Sequence, residues 1–234
     1  MKRSRTIYPL AGIFVGIALT LALTSCASVS VEDGAETVTQ QKPKMIYILD
    51  FSTASGDWQV DREGRELVDF KRDIQYLLQK TMTEDLTKRL IYAEPGAKTD
   101  WSLHKNAWLI RGQFVTVYQG SRALRGVVGL GAGGTKLETH VQVYDLSHDS
   151  GVAFMTFSTS GGSNAEPGAA VTFTTAPLEL ALGSASGVGH GLSEDAKRTA
   201  REITAALSDY MYKRGWIPKD EWIEPKHSHG GDVY

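Results

Sequence analysis

Apolar side chains recur along this chain with two different periods, and each period predicts one kind of secondary structure. The run Met-Ile-Tyr-Ile-Leu-Asp-Phe at 45–51 is nearly continuous, as in a strand that is covered on both faces. Between 66 and 92 the apolar residues return every three or four positions, which predicts a long helix ended by Pro95-Gly96. A second run of β-forming residues at 107–119 completes a strand–helix–strand unit, so we expect these two strands to be parallel.

The middle of the chain predicts a pair of further strands. Apolar and polar residues alternate over 136–146 and again over 152–160, with a turn between them, which is typical of an antiparallel hairpin. Gly112, inside the second strand, is expected to lie at a β-bulge. The segment 161–192 is rich in glycine and has no periodicity, so it is interpreted as a long loop.

A last helix follows this loop. Ser193 is its expected N-cap, Glu194 and Asp195 are expected to lie against the positive end of its dipole, and Gly215 is its expected C-cap. The resulting order, β-α-β-β-β-α, predicts an α+β fold. We expect a two-layer sandwich in which one mixed β-sheet carries the helices on one face.

The first 25 residues have the layout of a secretion signal. Three basic residues within the first five precede an apolar stretch at 7–23. Small residues then lead to Cys26, the single cysteine of the chain, in the sequence Leu-Thr-Ser-Cys. This is the layout of a bacterial lipoprotein signal, in which the thiol receives a diacylglyceryl group and the peptide is cut before the cysteine. The alternatives are an uncleaved transmembrane helix and an inert buried thiol, but neither explains why the cysteine falls at the cleavage point.

Composition divides the rest of the chain into three parts. The segment 26–44 has few large apolar residues and is interpreted as a flexible tether. Residues 45–218 form a single domain with room for a sizeable core, and 219–234 is a polar tail. Loss of residues 1–25 removes three of the 25 basic residues and no acidic one, leaving 22 against 27 and a net charge of −5. An acidic body of this kind argues against nucleic-acid binding and against electrostatic docking on anionic lipid, so the acyl chains, palmitate among them, must hold the membrane.

A glycine-rich turn contains the candidate binding residues. Gly129-Leu-Gly-Ala-Gly-Gly134 matches the G-x-G-x-x-G string of dinucleotide-binding proteins, but that site needs a helix after it and here a strand follows. No cofactor is therefore expected. Basic residues beside the turn could instead bind an anion, although a solvated edge is the alternative. The candidate binding residues are Arg122, Arg125, Gly129, Gly131 and Gly133.

Strings that would indicate catalysis or a metal are weak. Ser102-x-x-Lys105 lacks the further motifs of the penicillin-recognising enzymes, and His227-x-His229 offers too few ligands for a metal site. A hydrolase would need a nucleophile within reach of His140, His148 or His190. Without such an arrangement we expect no enzymatic activity and no metal.

The glycine-rich turn also carries a resemblance to a known family. Its residues run Gly120-Ser-Arg, then Arg125-Gly-Val-Val-Gly-Leu-Gly-Ala-Gly133, and a strand ending Val143-Tyr-Asp145 follows. This pattern resembles the bacterial lipoproteins grouped as the domain-of-unknown-function 4410 family, and the likeness covers most of 44–215. The resemblance implies an envelope lipoprotein with an α+β fold and no known catalytic residues.

These observations lead to an expected function. We expect a lipid-anchored, non-enzymatic interaction or assembly accessory that faces the periplasm from the outer membrane and has an envelope protein as partner. Ala27 stands where an aspartate commonly retains such proteins at the inner membrane, which favours the outer one. The alternative is a periplasmic small-molecule or glycan-binding module that uses the turn at 126–134 and the loop at 161–192.

Overall fold

Seven strands and two helices make up the part of the chain that the structure, a computed structural model, describes. That part comprises residues 28–32, 41–96, 106–120, 134–147, 151–162 and 188–226. The strands are β1 (Ser28–Glu32), β2 (Met45–Ile48), β3 (Asp57–Gln59), β4 (Ala93–Pro95), β5 (Ala107–Tyr118), β6 (Lys136–Asp145) and β7 (Met155–Gly162). The helices are α1 (Gly64–Arg89) and α2 (His190–Lys213).

The strands form one mixed sheet in the order β1-β7-β6-β5-β2-β4, and β3 pairs with the last part of β5. β2 is parallel to both β4 and β5, which confirms the parallel pairing predicted for the strand–helix–strand unit. β6 is antiparallel to β7, which confirms the predicted hairpin. The α+β class, the mixed sheet and the packing of helices on one face are thus as expected.

Both helices cover the same face of the sheet. One strand face and the apolar stripes of α1 and α2 share a continuous buried cluster that includes Ile48, Phe70, Ile110, Val141 and Ile203. A smaller cluster, formed by Tyr47, Ala107 and Leu109, lies on the opposite face. β2 is therefore buried on both faces, as its continuous apolar run predicts.

The two ends of the sheet carry different residues, and we name each end after one of them. The Ser28 end is where the paired residues Ser28, Ser160, Gly162, Lys136 and Tyr118 lie. The Ala107 end is where Met45, Ala107, Asp145 and Met155 lie. Neither helix among the described residues is both long and apolar enough to cross a membrane.

β1 lies in the segment that the sequence assigns to a flexible tether, and that expectation is wrong for residues 28–32. β1 pairs antiparallel with β7, from Ser28 opposite Ser160 to Glu32 opposite Thr156. Two valines in the run Ser-Val-Ser-Val-Glu favour extended backbone, and pairing satisfies the edge of β7. Composition alone misses this strand because its partner lies more than a hundred residues away in the chain.

The bulge predicted at Gly112 is located elsewhere. The register between β5 and β6 shifts between Phe114 and Thr116, so Val115 is the extra residue. Gly112 is needed for a different reason, because a Cβ atom at this position would collide with the ring of Phe51. Glycine here permits close packing rather than an irregular strand.

The start of α2 also differs from the prediction. The N-cap is Gly189, with φ 86°, and the helix begins at His190, so Ser193 is inside it. The Ser193 hydroxyl donates a hydrogen bond to the carbonyl of Gly189 at 3.0 Å. The C-cap is Arg214, one residue before the predicted Gly215. Gly215 follows it with φ 69° and donates its N–H to the carbonyl of Tyr212, as a glycine just after a helix commonly does.

Residues just after 218, expected to begin a polar tail, pack along α2 as far as residue 226. The Ser208 hydroxyl accepts from the N–H of Ile223 at 3.0 Å and is within 3.1 Å of that residue's carbonyl. Trp222 donates its indole N–H to Asp209 at 3.2 Å, and the N–H of Lys226 donates to buried Glu202 at 2.9 Å. The described domain therefore extends to 226.

Candidate functional site

The residues that the sequence singles out for chemistry lie outside the part of the chain that the structure describes. These are the lipidation candidate Cys26 and the candidate binding residues Arg122, Arg125, Gly129, Gly131 and Gly133. The described chain stops at Gly120, which has φ 83°, and resumes at Gly134. Both flanks adjoin strands β5 and β6 at the Ser28 end, so the geometry of that end can be built from its described side chains.

A buried polar cluster holds β6, β7 and α2 together at the Ser28 end. Thr135 donates its hydroxyl to one oxygen of the Asp195 carboxyl group at 2.6 Å. Arg198 donates to the other oxygen at 3.1 Å and to the carbonyl of Gly162 at 3.3 Å. Asp195 is fully buried, so these bonds satisfy a group that would be costly to leave alone.

Two glycines allow this cluster to form. A Cβ atom on Gly191 would lie 2.7 Å from the Cγ2 atom of Thr135, and one on Gly161 would lie 3.1 Å from the carbonyl oxygen of Asp195. Larger side chains would force α2 away from the sheet. The glycines at the two edges of the segment 161–192, interpreted as parts of a loop, therefore belong to the packed body.

The ionisation of Asp195 reflects its surroundings. Burial raises the pKa of its carboxyl group, while the Thr135 hydroxyl and the Arg198 guanidinium oppose that effect. The sequence places Asp195 at the positive end of a helix dipole, but the helix starts at His190 and Asp195 lies in its second turn, pointing to the sheet. Its role could not be read from the local sequence because Thr135 is distant in the chain.

The sheet face opposite the helices, which we call the open face, carries a row of polar and aromatic side chains. They are Arg111, Gln113, His140, Gln142, Tyr144 and Ser158. The Arg111 guanidinium lies 5.4 Å from the centre of the Tyr144 ring, and Tyr144 donates to Gln142 at 3.2 Å. Arg111 and Gln113 are exposed, so guanidinium and amide groups are presented to solvent there.

Of the three histidines that a hydrolase could use, the structure describes His140, which is on β6, and His190, which is at the start of α2. His140 Nδ1 lies 3.4 Å from the hydroxyl oxygen of Ser158, as cross-strand neighbours do, and its partner on β5 is Gln113. Neither of the residues paired with His140, on β5 and on β7, is a carboxylate. His190 is exposed at the start of α2, and His148 lies outside the described residues. The described ranges contain no group of three or more residues arranged to hold a metal ion.

Fold and site together define an α+β domain whose single mixed sheet is covered by helices on one face, with the short strand β1 at one edge. The chain belongs to the family described as Domain of unknown function (DUF4410), whose sequence model matches residues 46–177. No curated protein matches it.

Solved structures to which this chain is similar include two of PelC from Paraburkholderia phytofirmans. The PelC dodecamer in space group P6 has a TM-score of 0.36 and 9% identity, covering 75% of this chain and 99% of that one. A substituted PelC dodecamer in space group C2 has a TM-score of 0.39 and 12% identity, covering 77% and 98%. At these values the likeness carries no functional argument.

Proposed function

We propose that this protein is a lipid-anchored envelope protein that acts as a non-enzymatic interaction or assembly accessory, facing the periplasm from the outer membrane. The signal-like first 25 residues and Cys26 support the anchor. The family is described only as a domain of unknown function, so the proposal rests on this N-terminal segment and on the open face of the sheet.

The open face is the observation that carries the proposal. Both described helices pack on the other side of the sheet. The part of the open face around Arg111 and Gln113 is exposed, whereas Tyr47, Ala107 and Leu109, nearer the Ala107 end, are buried. Arg111 and Gln113 are exposed on it, with the half-buried Tyr144 ring beside them. Arginine and tyrosine are among the residue types enriched in protein interfaces, because each combines apolar area with directional hydrogen bonds.

Crosslinking in the cell envelope tests this proposal. A photo-reactive amino acid at Gln113, on the open face, is expected to give a discrete crosslinked product with an envelope protein. The matched control is Val68, which is 63% exposed on the solvent side of α1 and should give no such product. Equal products from both positions, or none from Gln113, would count against the interaction module, and a polysaccharide product from Gln113 would favour the glycan-binding alternative.

The anchor is tested separately. Metabolic labelling with palmitate should mark the native chain and should not mark Cys26→Ser, because the chain has no second thiol. Native protein that carries an unmodified thiol, or that leaves the membrane without detergent, would remove the lipid anchor from the proposal.

A further inference from the structure

We infer that the Ser28 end of the sheet faces the lipid surface, so that the domain stands on the membrane by one end of its strands. This inference rests on the proposed lipid anchor at Cys26. A flexible tether would let the domain move relative to the bilayer, whereas the arrangement inferred here holds the domain directly at the bilayer by its edge strand, β1.

The spacing between the anchor and the sheet is the first argument. β1 begins at Ser28, so Ala27 alone separates it from Cys26. Two residue steps span at most about 7 Å when fully extended. A coil of 18 residues would reach roughly 25 Å on average. The first residue of β1 is therefore held within about 7 Å of the anchored residue's α-carbon by covalent geometry alone.

Because the strands are paired in a fixed register, the short distance between Cys26 and Ser28 also limits where the other strands lie. Ser28 pairs with Ser160, Gly162 pairs with Lys136, and Lys136 pairs with Tyr118. Neighbouring strands lie about 4.8 Å apart, so these residues lie side by side along one edge of the molecule. Ala107, eleven residues earlier in β5 than Tyr118, lies about 36 Å away along the strand at 3.3 Å per residue.

Both helices start at this same end. Arg62 and Asp61, just before α1, hydrogen-bond the side chain of Gln119 at 2.6 Å and 3.3 Å. α2 begins beside Thr135, because Gly191 approaches that residue closely. The positive ends of two helix dipoles therefore point in the direction of the phosphate-bearing lipid surface.

Depth-dependent quenching in lipid vesicles tests the orientation. The native lipidated chain, in phosphatidylethanolamine and phosphatidylglycerol vesicles with a quencher on the headgroups, is labelled at one introduced cysteine. Labels at the Ser28 end are Glu63→Cys and His190→Cys, both exposed positions at helix starts. Labels at the Ala107 end are Tyr92→Cys and Val152→Cys, which are 55% and 48% exposed in the native chain. Lipidation consumes the thiol of Cys26, so each variant has a single reactive sulfur.

We expect quenching at the Ser28 end to be about threefold stronger or more, because the two ends differ by about 30 Å along the strands. Two positions at each end keep the result readable if one variant misfolds. Equal quenching at both ends, as from a body lying flat, or stronger quenching at the Ala107 end would overturn the orientation.

Two measurements separate this inference from the proposed function. The intact mass of each variant reports whether the chain is lipidated. An unmodified chain overturns the proposed anchor and the orientation with it, whereas a lipidated chain with equal quenching overturns the orientation alone. Insertion of a flexible linker of about ten Gly and Ser residues between Ala27 and Ser28 adds roughly 17 Å of reach and should reduce the contrast between the ends. A contrast that the linker leaves unchanged would show that the short connection does not set the orientation.

Discussion

The two ends of α2 are attached to the sheet by different interactions, polar at one end and aromatic at the other. At the Ser28 end, the buried carboxyl group of Asp195 receives hydrogen bonds from Thr135 and Arg198. At the Ala107 end, aromatic rings replace hydrogen bonds. The ring of Trp108 lies 4.9 Å from Phe154 and 5.7 Å from Tyr210, centre to centre.

The difference shows how each end depends on its neighbours. Aromatic packing is nearly independent of pH and tolerates small shifts, since its energy comes from buried area and broad ring contacts. The Asp195 cluster depends on directional bonds to a charged group, so removal of one partner leaves another unsatisfied. On the proposed orientation, the polar attachment lies next to the membrane and the aromatic attachment lies farthest from it.

The largest effect is expected from Trp108→Ala. Trp108 is fully buried and touches the rings of Phe154, Tyr210 and Trp216, so its loss should lower the free energy of unfolding by about 3–5 kcal/mol. Urea unfolding of the full chain in detergent measures this. The matched control, Tyr76→Ala, removes a ring that is 64% exposed on α1 and should change stability by less than about 0.5 kcal/mol. Similar losses from both variants would contradict an aromatic attachment at the Ala107 end.

Trp108→Phe sharpens this test. The indole N–H of Trp108 is buried and has no hydrogen-bond partner among the described residues. Phenylalanine keeps part of the ring contact and removes this unsatisfied donor, so the two changes partly offset each other. We expect a loss clearly smaller than that of Trp108→Ala in the same urea titration. A loss as large would mean that the donor is satisfied.

A smaller effect is expected at the opposite end from Asp195→Ala. The substitution removes the carboxylate that accepts from the buried Thr135 hydroxyl, although Arg198, 36% exposed, can turn to water. We expect a loss of about 1–3 kcal/mol. Glu194→Ala is the control, because this neighbouring carboxylate is part of a partly exposed ion pair with Lys197 and should contribute less than about 1 kcal/mol. Equal losses from the two variants would show that the buried cluster does not attach α2.

The sequence predicted the parts of the fold that depend on local periodicity. The apolar stripe of α1, with buried Phe70, Ile74 and Leu78, needs only a spacing of three or four residues to be recognised. The alternation in β6 is equally direct, because every second residue from Leu137 to Val143 is buried. Such patterns are visible in a single segment.

The sequence did not predict features that depend on distant partners. β1 is short and polar in composition, and only its pairing with β7 makes it a strand. Asp195 has the same local signature as any acidic residue near a helix start, yet its acceptor role depends on Thr135, 60 residues earlier. The candidate binding residues around Arg122 and Gly131 remain a prediction, because they lie outside the described chain.

The smallest effect is a pH dependence at the Ser28 end. Burial raises the pKa of the Asp195 carboxyl group, with Thr135 and Arg198 partly opposing it. The folded protein then keeps this proton at pH values where the unfolded chain has released it. The contribution of Asp195 to the free energy of unfolding therefore falls as the pH rises from the ordinary carboxyl pKa through the raised pKa of the folded state. It is recovered on acidification.

Asp195→Asn removes the titrating group while retaining an acceptor for Thr135. On acidification through that window, the native chain should gain stability relative to the variant, as measured by urea midpoints at successive pH values. Glu194→Gln, which alters the half-buried neighbouring carboxylate, serves as the control, and its urea midpoints should change with pH more nearly as those of the native chain do. A native chain that instead loses stability relative to Asp195→Asn on acidification would mean that the ion pair with Arg198 outweighs burial. The attachment at the Ser28 end would then be an ionic one that weakens as the pH falls.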